Sequence, residues 1–143
     1  MSQIPSFATP EELEAAFYEA IAAHDADTLM RYWSDDEELL CIHPTGVRLS
    51  GQAAIYESWR AIFANTAMRI EYDTLASWQG SVMAVHHLTE LLYIADDPSP
   101  HGPLYVTHYY LRGAHGWRLV CRHASAADDG HQAMADALPH TLH

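Results

Sequence analysis

The chain has 143 residues, 49% hydrophobic and 18% charged, with a formal net charge of −12. That length suits one domain with a sizeable core, and that composition excludes a disordered or membrane-embedded chain. All seven basic residues are arginines and none forms a run, which argues against nucleic acid and anionic membrane as partners.

With no lysine, the chain cannot form a Schiff base through a side chain of its own. Cys41 and Cys121 lie in no CxxC pair, as expected of a reduced protein rather than a disulfide framework. The N-terminus lacks the basic start and apolar stretch of a signal peptide, and no apolar run approaches the roughly 20 residues that span a bilayer. The expected location is therefore the cytoplasm. Eleven histidines are the compositional oddity.

Thr9-Pro10-Glu11-Glu12 opens the first helix, with Thr9 as cap, Pro10 in the first turn and Glu12 closing a capping box. Leu13, Ala16, Phe17, Ala20 and Ile21 form its apolar stripe, and the helix is expected to stop near His24-Asp25. A short second helix is predicted from Asp27 to Trp33, with Trp33 rather than Tyr32 turned inward. An acidic turn follows at Ser34 to Glu38. Leu39 to His43 reads as a short strand, Pro44-Thr45-Gly46 as a turn, and Val47 to Leu49 as the hairpin partner. A third helix spans Gln52 to Asn65, with Ile55, Trp59, Ile62 and Phe63 facing inward.

Four strand-like segments come next: Met68 to Trp78, Val82 to Ala95, Leu104 to Arg112 and Trp117 to His123. Helices first and antiparallel strands after them predict an α+β domain covering residues 1–143, with its core at about 10–125. A weak helical pattern at 132–138 lies in a stretch, 126–143, expected to form a mobile tail. Several strands are apolar on both faces, so a homodimer through the outer sheet face is expected.

Phe17 and the stretch AIAAHDADTLMRYWSDDEELLCIHP, the helix LSGQAAIYESWRAIF and the ending GWRLVCRHAS together resemble the nuclear transport factor 2-like (NTF2-like) superfamily. Within it, the polyketide-cyclase-like (SnoaL-like) proteins and the calmodulin-dependent kinase association domains are the nearest in look. The resemblance runs from Pro10 to Ser125. It implies a cone-shaped roll, a strongly curved, mostly antiparallel sheet wrapped on about three N-terminal helices, with a pocket at the open end. Ketosteroid isomerase, a member of that superfamily, uses an Asp base with a Tyr and a protonated Asp holding the enolate oxygen. Aligned on it, the base position is His43, the oxyanion Tyr becomes Phe17, the second Asp becomes His108 and a pocket Tyr becomes Trp59. Both acids are thus replaced by imidazoles.

These positions frame the candidate site. His43 is the expected base, since an imidazole near pKa 6.5 suits proton transfer at neutral pH; a histidine closing a turn is the plainer alternative. His108, His123 and Glu90 are the expected acids or hydrogen-bonding groups. Phe17, Trp59, His86, Leu88, Tyr110 and Cys121 are the expected ligand-binding wall. His86 and His87 must face opposite sides of their strand. We place His86, Leu88 and Glu90 toward the pocket, the opposite register being the alternative. On the last strand the family's packing turns Trp117, Leu119, Cys121 and His123 inward, and Arg118, Val120 and Arg122 outward. A metal site of His43, His86, His108 and His123 is conceivable, but no ligand spacing supports one. The expected protein binds a small hydrophobic molecule without metal or cofactor and performs acid–base chemistry of an isomerase, dehydratase or cyclase type. The alternative is an association module with no chemistry.

Overall fold

Thr9 caps the first helix as its sequence predicts, its side chain accepting from Glu12 N, and α1 runs from Pro10 to Ala22. In the computed structural model, residues 5–36 and 38–126 are described; the helical pattern at 132–138 and the expected tail lie outside them. Asp25 caps α2 (Ala26–Arg31) through Thr28 N. The hairpin strands β1 (Leu40–Ile42) and β2 (Arg48–Ser50) lead into α3 (Gln52–Asn65). Four long strands complete the fold: β3 (Met68–Gln79), β4 (Met83–Ile94), β5 (His101–Gly113) and β6 (Gly116–Ala126).

The sheet is open, in the order β2-β1-β6-β5-β4-β3, antiparallel throughout except where β1 runs parallel to β6. Among the described residues, no helix is long and apolar enough to cross a membrane. The helices pack on one face, and their stripes meet the inward residues of the sheet in one core. Leu13, Phe17 and Ile21 of α1, Leu29 of α2 and Ile55 and Trp59 of α3 pack with Tyr110, Trp117 and Leu119. Removing each such side chain from water contributes about 1.5–3 kcal/mol. Tyr32 and Trp33 are both buried, where only one was expected. The helix ends before Trp33, which forms a bridge to Leu119, while Tyr32 packs edge-on under Phe7.

β4 and β5 alternate as their sequences suggest. Ala84, His86, Leu88 and Glu90 face inward on β4, and Leu104, Val106, His108 and Tyr110 on β5. β6 breaks the pattern. Tyr109 pairs with Cys121 but Tyr110 pairs with Leu119, so Val120 is an extra residue. This β-bulge shifts the parity of everything after it. Trp117 and Leu119 are inward as expected, but beyond the bulge Arg122 and Ala124 are buried and His123 is exposed. Cys121, opposite outward Tyr109, is half-buried on the outer side. The inward placement of Cys121 and His123 is therefore corrected, and Arg122 takes the interior position.

Candidate functional site

Five charged or polar side chains among the described residues are buried in this fold: Glu14, His86, Glu90, His108 and Arg122. Two tyrosines, Tyr18 and Tyr110, join them. Glu14 arrives because α1 carries it beside Leu13, one turn before Phe17 and Tyr18, on the stripe that faces the sheet. β4 supplies His86 and Glu90, β5 supplies His108 and Tyr110, and the bulge delivers Arg122.

The first half of the network centres on Glu14. Its Oε2 accepts from Tyr110 Oη at 2.5 Å, His86 Nδ1 at 2.9 Å and His108 Nδ1 at 3.2 Å. The second half centres on Glu90. Arg122 Nη1 and Nη2 reach its two oxygens at 2.8 and 2.9 Å, a bidentate pair, and Tyr18 Oη donates to it at 2.5 Å. His108 joins the halves, because Arg122 Nη1 lies 2.9 Å from His108 Nε2.

That contact fixes a proton. A guanidinium can only donate, so His108 Nε2 must accept and the ring carries its hydrogen on Nδ1, shared between Glu14 and the Tyr110 oxygen at 2.8 Å. Burial, together with the nearby Arg122 charge, keeps His108 below the ordinary histidine pKa, against the opposing pull of Glu14. His108 is thus a neutral ring with both nitrogens occupied. It positions Glu14 and Arg122 and has no lone pair left for a ligand.

His86 is different. Its Nδ1 donates to Glu14, while its buried Nε2 has no partner among the described residues. Burial pulls its pKa down, but the Glu14 hydrogen bond and charge outweigh that and raise it overall. Burial likewise pushes Glu14 up, yet the bonds from His108, His86 and Tyr110 together hold it at about 2. For Glu90, burial is overcome by Arg122, which keeps the carboxyl below its usual range. Tyr18 and Tyr110 are raised well above 10 by burial beside the carboxylates, so both keep their protons. Two carboxylates against one guanidinium leave one excess negative charge. A proton on His86 cancels it.

The remaining candidates lie around this network. Phe17 packs edge-on against His108 and Trp59, with centroids at 5.3 and 6.1 Å, and Arg122 sits over the Phe17 and Trp59 rings. Leu88 is fully buried in a second apolar cluster with Leu104, Val106 and Ala124. His43 is half-buried, holds Ser58 Oγ through Nε2 at 2.7 Å and packs edge-on against Trp59. Burial and then Arg122 lower its pKa. It makes no direct bond to the Glu14 or Glu90 network among the described contacts. The structure therefore gathers His86, Glu90, His108, Tyr110, Phe17 and Trp59, sets His43 to one side and leaves Cys121 and His123 out. Burial raises the Cys121 thiol, and the inward Cys41 thiol is pushed up to about 11 by burial. Among the described residues no group of three or more His, Cys, Asp or Glu is placed to hold a metal.

Sequence reasoning missed Glu14, Tyr18 and Arg122. Glu14 had a signal: a carboxylate one residue from Leu13 on an otherwise apolar face. Arg122 had none, because the bulge leaves no mark in the pattern.

An open, mostly antiparallel sheet with three helices on its inner face and a polar cluster in the core defines an NTF2-like domain. The SnoaL-like domain family matches residues 11–129, and the chain belongs to that family. A provisionally assigned calcium/calmodulin-dependent protein kinase type II association domain from Thiobacillus denitrificans is 34% identical. The match covers 87% of this chain and 99% of that one, with a TM-score of 0.82. A provisionally assigned dehydratase of the NTF2-like family from Streptomyces avermitilis is 26% identical over 82% of this chain and 93% of its own, with a TM-score of 0.71. An NTF2-like protein of unknown function from Pseudomonas putida shares the fold at 18% identity, with coverages of 83% and 84% and a TM-score of 0.72. No curated protein matches the chain.

Proposed function

We propose that this chain is a small-molecule-binding domain whose buried polar core carries out general acid–base chemistry, a dehydration or isomerisation, on a small, largely apolar substrate. The observation that carries this reading is His86: one ring nitrogen is held by Glu14 and the other is buried and unpartnered among the described residues. A carboxylate behind an imidazole fixes its tautomer and stabilises the cation that forms when the free nitrogen takes a proton. The excess negative charge of the network favours the same step.

In a dehydration, His86 Nε2 takes a proton from a substrate carbon. The C–H electrons form the new double bond, the C–O bond breaks, and the hydroxyl leaves as water with the proton returned by His86. In an isomerisation the same nitrogen returns the proton to another carbon. Phe17, Trp59 and Leu88 form the apolar wall. Tyr72, half-buried, stacks on Tyr18 at 3.9 Å at the edge of the network. The Streptomyces neighbour's assignment as a dehydratase supports the reaction type. No cofactor is required.

Native mass spectrometry of the freshly purified protein, beside the variant His86→Phe, tests the reading. The expected result is a small extra mass on the native protein, lost on denaturation and absent from the folded variant. A native protein that carries nothing, or a variant that retains the mass, counts against it.

A second reading, a homodimeric association module, is favoured by the outer sheet face, where Leu75, Trp78, Met83, Tyr105 and Leu111 are exposed. The Thiobacillus neighbour's assignment as an association domain supports it. The two readings are compatible: the outer face pairs protomers and the inner face holds the ligand.

A further inference from the structure

Three of the seven arginines, Arg31, Arg112 and Arg118, line one cleft of about 510 Å³ between the end of α2, the Ser34-Asp35 turn and the β5–β6 hairpin. In a chain of net charge −12 this clustering needs a cause. Arg60, Arg69 and Arg122 each have a carboxylate partner. Among the described residues, the three cleft arginines have none.

Their states differ. Arg118 is anchored, donating to the carbonyls of Trp117 and Pro5. Neither Arg31 nor Arg112 makes a side-chain hydrogen bond among the described residues, so two guanidinium forks on different walls keep their donors free. Asp27 and Asp35 also line the cleft. They do not cancel three guanidiniums. The floor is apolar, with Met30 and Trp33, whose indole nitrogen is buried without a partner among the described residues. Free forks above an apolar floor fit an oxyanion carried on a short apolar body.

We propose that this cleft binds a small organic anion, a carboxylate or phosphate monoester on an apolar body, through Arg31 and Arg112. Arg118 holds the wall in place. The site is separate from the buried core, so it stands or falls independently of the acid–base reading.

Benzoate and phenyl phosphate, which share a ring and differ in the oxyanion, are the probes. Each is titrated into the full chain by calorimetry and by NMR of the indole N–H signals. The expected result is saturable binding of at least one probe with a shift of the Trp33 indole signal. Binding should weaken about tenfold or more in Arg31→Ala and in Arg112→Ala, as expected for loss of a charge-assisted hydrogen bond. The stronger probe identifies the oxyanion. Arg112 is exposed, so its replacement leaves the fold intact, and Arg112→Lys should recover only part of the affinity. No binding of either probe at millimolar concentration, or unchanged binding in both alanine variants, overturns the proposal.

Discussion

The inner and outer faces of β4 and β5 reverse the usual arrangement of a protein. Inside, His86, Glu90, His108 and Tyr110 hold a charged, hydrogen-bonded network with almost no contact with water. Outside, the same sheet exposes Met83, Tyr105 and Leu111 beside Trp78, which is 61% exposed. Taking each ion out of water costs several kcal/mol, which pairing offsets at best, and a hydrophobic replacement is often as stable. A polar interior is therefore poor as a stabilising device, and an apolar exterior is poor as a solvated one. The proposed occupants, a ligand within and a second copy without, would give each face its reason.

The largest expected effect comes from removing the charge that makes the interior tolerable. Arg122→Ala leaves Glu90 buried without its cation and should destabilise the protein by about 3–5 kcal/mol in denaturant unfolding. The double variant Arg122→Ala, Glu90→Gln should recover part of that loss. If the single variant costs nothing, the interior is wetter than the contacts imply and the contrast between the faces fails.

Glu14 sharpens the same contrast through pH. Its folded pKa, about 2, lies below the ordinary glutamate value of 4.5. Its contribution is therefore complete above pH 4.5 and lost as pH falls toward 2. The shift corresponds to a contribution on the order of 3 kcal/mol. Glu14→Gln should lower stability at neutral pH by an amount of that order and flatten the acid limb of the stability profile. A profile unchanged between pH 4.5 and 2 contradicts the assigned bonds.

On the outer face, Trp78→Glu should convert a dimer to a monomer by light scattering while leaving the protomer's own unfolding nearly unchanged, since the side chain is solvent-exposed. A wild-type protein that is already monomeric at micromolar concentration removes the occupant from that face. The smallest effect belongs to His123→Ala. This exposed side chain should change stability by no more than about 0.5 kcal/mol and leave any bound mass in place. A large loss of ligand there would return His123 to the interior.

How much of this was legible in the chain depended on whether periodicity survived. α3 matches its predicted span from Gln52 to Asn65, and β4 turns His86, Leu88 and Glu90 inward together, because unbroken alternation and a 3.6-residue stripe carry their own phase. The same logic failed at Cys121, His123 and Arg122, where one inserted residue reverses the phase and neither neighbour's identity announces it. Glu14 failed for another reason. A lone carboxylate among apolar helix positions reads as solvated until its three partners, each more than seventy residues away, are seen to converge. His43 drew weight from its place before Pro44, yet its Nε2 is held by Ser58 and no bond joins it to the network among the described contacts.

The bulge at Val120 has one more consequence. It gives β6 two reading frames in a single strand: the stretch before it is phased for an apolar wall, the stretch after it for a cation. Excising Val120 alone would leave Leu119 and Cys121 as consecutive partners of Tyr110 and Tyr109, a regular ladder in which Arg122 keeps its inward place and His123 its outward one. The bulge can thus be lost by a three-nucleotide deletion with the guanidinium still at the heart of the network.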